Sequence, residues 1–144
     1  MLNSKSVTCD SGVVITEVDF DRLKHLLESP RYRATHPVLL RTLQQELDRG
    51  TVVDPGSVPK GVVTMHSRVR VRDLGSGESE TYTLVYPDEA DIIAGKLSVL
   101  APLGIALLGA RVGQVVEFTA PAGPRRLKVE RVLYQPEGAG DFHL

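Results

Sequence analysis

The hydrophobic pattern of this chain changes period once, and that change bounds the folds open to it. Before residue 50 the apolar positions recur every three to four residues. Phe20, Leu23 and Leu27 fall at i, i+3 and i+7, and Leu39, Leu43 and Leu47 at i, i+4 and i+8, the spacing of one face of an α-helix. From residue 68 the period is two. Val69 and Val71 alternate with Arg68, Arg70 and Arg72, and after Gly75-Ser76-Gly77 the residues Tyr82, Leu84 and Tyr86 alternate back, as in a half-buried hairpin. Between the two regimes lie Asp54-Pro55-Gly56-Ser57 and Pro59-Lys60-Gly61, both runs of turn formers. One switch from helix period to strand period predicts an α+β arrangement, helices first and sheet second. The expected division is a helical segment over 1–50, a linker over 51–60 and a sheet-bearing domain over 61–144.

Local signals sharpen the helices. Thr16 is a candidate N-cap, and Glu17, Asp19 and Asp21 set negative charge at the positive end of the helix dipole. Ser29-Pro30 stops that helix, because the residue before a proline is pushed out of the helical region. The second helix is capped by Thr35 or His36, has Pro37 in its first turn, and ends at Gly50. Two helices joined by a short connector predict an antiparallel hairpin, a short coiled coil with arms of about 18–20 Å. Farther on, Pro121-Ala122-Gly123-Pro124 reads as a hairpin tip between Val115–Phe118 and Leu127–Val132, and Ala101 to Leu108 as a short helix laid on an antiparallel sheet. The stretch from Gln135 onward has no periodicity.

Composition excludes more than it assigns. At 144 residues the length fits one domain, or one domain with an appendage. No stretch reaches the roughly 18 apolar residues of a membrane span. Met1 to Asp10 lacks the pattern of a signal peptide, and a single cysteine, Cys9, fits a reducing, cytoplasmic setting. A net charge of -1 gives no global drive toward nucleic acid or membrane. Arg125, Arg126, Lys128 and Arg131 make one late strand basic, but no aromatic ladder accompanies them, so sequence-specific nucleic-acid binding is not expected.

Chemistry is scarce. Cys9, His25, His36, His66 and His143 are scattered, with no metal-ligand spacing, so no metal and no cofactor is expected. Ser98 has no nucleophile-elbow context. Gly104 and Gly109 have the spacing of a phosphate loop, yet Ala110 and Arg111 stand where that loop needs Lys and then Ser or Thr. Asp88, Glu89 and Asp91 read as a solvated loop. No enzymatic motif emerges. What stands out is the connector Ser29–Pro37, which carries Arg31, Tyr32, Arg33 and His36 and no carboxylate, a set suited to docking on an acidic or polar partner.

Two groups of motifs are familiar. Leu97-Ser98-Val99-Leu100-Ala101-Pro102-Leu103-Gly104-Ile105-Ala106-Leu107-Leu108-Gly109, followed by Gly113, resembles the C-terminal domain of the bacterial Gre transcript-cleavage factors. Val62-Val63-Thr64-Met65, Ser67-Arg68-Val69, Thr83-Leu84-Val85-Tyr86-Pro87, Tyr134-Gln135-Pro136-Glu137 and Gly140-Asp141 resemble the branch of that family named for regulation of nucleoside diphosphate kinase, the Rnk-type proteins. The resemblance implies an FKBP-like C-terminal domain and binding to bacterial RNA polymerase at the rim of its secondary channel, as a monomer or weak dimer. It implies docking through Ser98, Leu100 and Pro102, although Leu100 stands where cleavage factors commonly carry Asp. It implies a helical tip that points inward. In the cleavage factors an acidic pair at that tip helps to hold a catalytic Mg²⁺, an ion that prefers oxygen ligands. The tip here offers no carboxylate and its arm is short, so the expectation is occupancy of the channel without transcript cleavage, in competition with Gre factors, and an indirect effect on nucleoside diphosphate kinase. A peptidyl-prolyl isomerase, from the implied fold, and a direct regulator of that kinase are the competing readings.

Overall fold

The computed structural model describes residues 14–140; Met1–Asp10 with Cys9, and Asp141 and His143, lie outside the described residues. Strand β1 (Val14–Thr16) leads into helix α1 (Glu17–Leu27), and helices α2 (Pro30–Thr35) and α3 (Pro37–Asp48) follow. The cap expected at Thr16 is present: its hydroxyl accepts from the Asp19 backbone N–H at 3.0 Å. Pro37 occupies the first turn of α3, and the helix gives out just before Gly50. The connector differs from expectation. Ser29–Pro37 is not a loop, because Pro30 starts a helix and nothing from Arg31 to Thr35 breaks it. Six residues are too few to show a period, so the pattern alone passes over α2.

Strand β2 (Thr51–Val53) leaves the helices and pairs with β1, with Val14 opposite Thr51 and Thr16 opposite Val53. The pairing is parallel. Parallel neighbours need a crossover between them, and here the three helices supply it. A single 3-10 turn, Pro55–Ser57, then carries the chain to the main sheet.

That sheet has the order β5-β4-β3-β7-β6, built from β3 (Arg68–Asp73), β4 (Ser79–Val85), β5 (Lys96–Ser98), β6 (Val115–Ala120) and β7 (Gly123–Tyr134). Both expected hairpins form. Asp73 closes the first by accepting from the N–H groups of Gly75 and Ser76, and Ala120 faces Gly123 at the end of the second. The expectation of a wholly antiparallel sheet is corrected at one edge. β5 runs parallel to β4, Thr83 opposite Lys96 and Val85 opposite Ser98. Pro87 cannot extend the β4 ladder, and the 3-10 turns Pro87–Glu89 and Ile92–Ala94 return the chain to the middle of β4, beside Thr83, rather than folding it back on itself. The sheet is mixed.

Helix α4 (Pro102–Leu107) lies on the inner face, as the apolar run predicts, and a single turn, α5 (Pro136–Ala139), follows β7. One continuous core joins both halves: Leu23, Leu43 and Leu47 of the helices pack in the same cluster as Met65, Val69, Leu84, Leu107 and Leu127. Residues alternate along β3 between buried and exposed, so the opposite face of the sheet is open to solvent. No helix among the described residues is long and apolar enough to cross a membrane.

Candidate functional site

Helix α2 gathers most of the residues singled out at the connector. Tyr32 is half-buried and packs against the core. The Arg31 guanidinium lies 5.4 Å from the Tyr32 ring centre, close enough for a cation–π contact. The His36 ring is 6.0 Å from Tyr32 and tilted by 58°, and its Nδ1 meets the Thr35 hydroxyl at 2.7 Å. Arg33 turns elsewhere: its Nε donates to the Leu27 carbonyl at 3.1 Å, which ties α2 to the end of α1. Arg31, Tyr32 and His36 thus form one group, and Arg33 braces it.

Arg31 and Tyr32 of this group border a cleft of about 820 Å³ between the helices and the body. Arg22, His25 and Leu26 of α1 continue its helical wall, and His66, Tyr86 and the loop Pro87–Glu89 form the facing wall. His66 adopts a φ of 67°, in the left-handed region that few residues other than glycine enter and in which His, like Asn and Asp, is enriched. It is held there by its N–H donating to the Leu84 carbonyl at 2.6 Å and by Nε2 lying 2.9 Å from Glu89 Oε1. Its ring meets Tyr86 edge-on at 5.6 Å. Burial pushes the Tyr86 hydroxyl well above the ordinary tyrosine range, and neighbouring Asp19 pushes the same way while Arg22 opposes. Arginines and histidine on one wall face Asp88 and Glu89 on the other, so the cleft presents charge of both signs around an aromatic floor.

Beneath the cleft the helices are anchored by polar contacts. Asp19 is buried, and its Oδ2 accepts from the Met65 N–H at 3.2 Å. Burial first, and then the Glu137 carboxylate, raise the Asp19 pKa to about 6. Glu137 accepts from the Thr64 hydroxyl at 2.6 Å, and that hydroxyl also meets Ser67 Oγ at 2.8 Å. Gln135 is buried as well, its amide donating to the carbonyls of Pro59 and Val62 at 2.9 and 2.7 Å.

The other candidates occupy a separate place, the turn from β5 into α4. Ser98 is half-buried, and its Oγ accepts from the Leu100 N–H at 3.0 Å. The Leu100 side chain is buried in the core. Pro102 is exposed at the first position of α4 and borders an apolar groove of about 480 Å³ that runs between Val38 and Leu39 of α3 and Phe118 of β6. The structure therefore leaves Pro102 exposed, uses Ser98 to shape the turn and keeps the Leu100 side chain inside.

Neither place suits a metal ion. The connector offers cations and rings where Mg²⁺ would need oxygen ligands, and among the described residues no three His, Cys, Asp or Glu side chains stand together as a metal set. The Mg²⁺ that the cleavage factors hold at their tip does not fit the residues present here. Sequence reasoning missed the far wall of the cleft. His66 reads in sequence as one of several scattered histidines and Glu89 as part of a solvated acidic loop, and only the fold brings them together.

Comparison with known proteins matches two segments of the chain. Residues 12–53 match the family described as Rnk N-terminus. Residues 58–134 match the family described as transcription elongation factor, GreA/GreB, C-term. The "Regulator of nucleoside diphosphate kinase" of Escherichia coli is 44% identical over 133 residues, which cover 92% of this chain and 96% of that protein. The "Transcription elongation factor GreA" of Thermodesulfovibrio yellowstonii is 41% identical over 83 residues, 58% of this chain and 52% of that protein. Among solved structures, the prokaryotic transcription elongation factor GreA/GreB from Nitrosomonas europaea superposes with a TM-score of 0.72 at 40% identity, over 85% of this chain and 98% of that one.

Proposed function

This chain belongs to the Gre family of transcription factors, in its Rnk-type branch, and we propose that it binds bacterial RNA polymerase at the secondary-channel entrance and regulates transcription without stimulating transcript cleavage. In this reading the C-terminal half, an FKBP-like domain, docks at the channel rim in the cytoplasm through the β5–α4 turn, with Pro102 at its surface. Helix α2 and the His36 that caps it present Arg31, Tyr32 and His36 to the polymerase. Any effect on nucleoside diphosphate kinase then runs through transcription.

The observation that carries the proposal is the chemistry of α2. From Ser29 to Pro37 there is no carboxylate, while Arg31 and Tyr32 border the open cleft. Helping a second Mg²⁺ into a polymerase site takes negatively charged oxygen ligands, and an arginine-and-tyrosine tip supplies the opposite charge. Such a tip can occupy and contact; it has no group with which to recruit the ion.

The test is competition with a labelled Gre-type cleavage factor for core RNA polymerase, with cleavage in stalled complexes read from the same tubes. The expected result is displacement of the factor and loss of cleavage. Replacing Arg31 and Tyr32 together by Ala should weaken displacement roughly tenfold or more, since Arg and Tyr are the residue types that dominate interface energetics. No association at micromolar concentrations, or stimulated cleavage, would overturn the proposal.

A further inference from the structure

The outward face of the sheet carries a charge pattern that the polymerase reading leaves unused. β3 presents Arg68, Arg70 and Arg72 to solvent while Val69 and Val71 enter the core. Register brings basic residues of β7 beside them: Arg70 stands opposite Arg131, and Arg72 opposite Lys128. Arg126 extends the row toward β6, where it meets Glu117 at 3.5 Å. Alternate residues on a strand are about 6.7 Å apart and neighbouring strands about 4.8 Å, so six cationic side chains share a patch two strands wide. In a chain of net charge -1 this is segregation of charge rather than surplus.

Two details separate the patch from an ordinary solvated face. Like charges directly opposite one another in an antiparallel pair are destabilising, and here two such pairs stand side by side. The carboxylate among them, Glu130, sits at a register shift that inserts an extra residue into β7. It reaches Arg72 at 2.6 Å and Arg70 at 3.3 Å, and it accepts from Ser79 Oγ at 3.1 Å. One carboxylate shared by two arginines leaves Arg68, Lys128 and Arg131 with no carboxylate at ion-pair distance among the described residues.

We propose that this β3–β7 face binds the phosphate backbone of nucleic acid without reading its sequence. Arginine forks match phosphate oxygens, and a basic stripe on one face is the electrostatic footprint of nucleic-acid binding. The ring that register places on this face, Tyr134 opposite Arg68, is half-buried, short of the open platform on which bases stack. The same lack removes the exposed aromatic anchor typical of protein interfaces, which favours phosphate over an acidic protein surface.

The test is fluorescence anisotropy of the full chain with a labelled single strand and a labelled duplex, each in two unrelated sequences, across a salt series. The expected result is binding at low salt that is indifferent to sequence. For three to four phosphates neutralised, the duplex should give a log–log salt slope of about -3 and the single strand a shallower one. The triple variant R68A/K128A/R131A should lose at least roughly tenfold in affinity and flatten the slope. Glu130→Gln should act oppositely, tightening binding about threefold by removing a competing anion and freeing Arg70 and Arg72. Absence of binding at tens of micromolar in low salt, equal binding by the triple variant, or weaker binding by E130Q would overturn the proposal. So would a triple variant that keeps nucleic-acid binding but loses polymerase, which assigns the face to an acidic protein surface. Free nucleic acid is the probe, so these outcomes do not depend on the polymerase competition.

Discussion

Asp19 is a buried carboxylate that accepts from the Met65 N–H, and its raised pKa, about 6 against 3.8, makes stability depend on pH. The folded state holds this proton more tightly than the unfolded chain does. The contribution is therefore fully present below the unfolded pKa near 4 and is lost as pH rises through about 6, a swing on the order of 3 kcal/mol. The protein should melt at a higher temperature at pH 5 than at pH 7. Asp19→Asn keeps an acceptor for Met65 and removes the charge, so it should raise the melting temperature at pH 7 and abolish that part of the pH dependence. A variant less stable at pH 7, with the wild-type pH profile intact, would contradict the assignment. Nothing in the local pattern marks Asp19 as buried; it reads as one of three acids in a first helical turn. The Thr16 cap was legible because both of its partners lie within three residues. Met65 lies 46 residues from Asp19, beyond any window of sequence pattern.

Helix α4 owes its seat to a glycine. A Cβ on Gly104 would stand 2.0 Å from the Ser98 carbonyl oxygen and within 3.0 Å of the Val99 Cα, so the helix rests directly on the backbone of the turn that ends β5. Gly104→Ala should cost about 1–3 kcal/mol or more through forced displacement, seen as a lower urea midpoint, and should also disturb the turn that presents Pro102. An unchanged midpoint would mean that α4 shifts freely. Pattern reasoning rejected the phosphate loop here from Ala110 and Arg111 and identified a packing helix, but the contact that makes the glycine necessary is not written in spacing. The β5 edge teaches the same lesson. Period two announces a strand and says nothing about its neighbour or its direction, and the parallel run beside β4 follows from where Pro87 and two 3-10 turns deliver the chain. Likewise α2 is hidden in the sequence by its length, although its side chains carry the proposed function.

Taken together, the two halves of the chain are one packed body, with Leu23 and Leu43 of the helices in the same core as Leu84 and Leu127 of the sheet. The switch of period told the order of helices and strands correctly, and its turn-rich boundary lies where the chain crosses between them. It could not tell that the segments on either side of the helices pair with each other. The parallel ribbon of β1 and β2 has a kinetic consequence. Its partners Val14 and Thr51 are separated by all three helices, so the ribbon closes a long loop, and loop-closure entropy must be overcome before the pairing stabilises anything. Ile15, almost wholly buried, should then gain its contacts after the rate-limiting step. Ile15→Val should lose about 1 kcal/mol with the change almost entirely in the unfolding rate, a φ-value near zero in stopped-flow chevrons. A φ-value near one would place the ribbon in the nucleus. With a value near zero, the strand that comes first in the described chain is the last to lock, and during refolding the helices meet the sheet before their own base is closed.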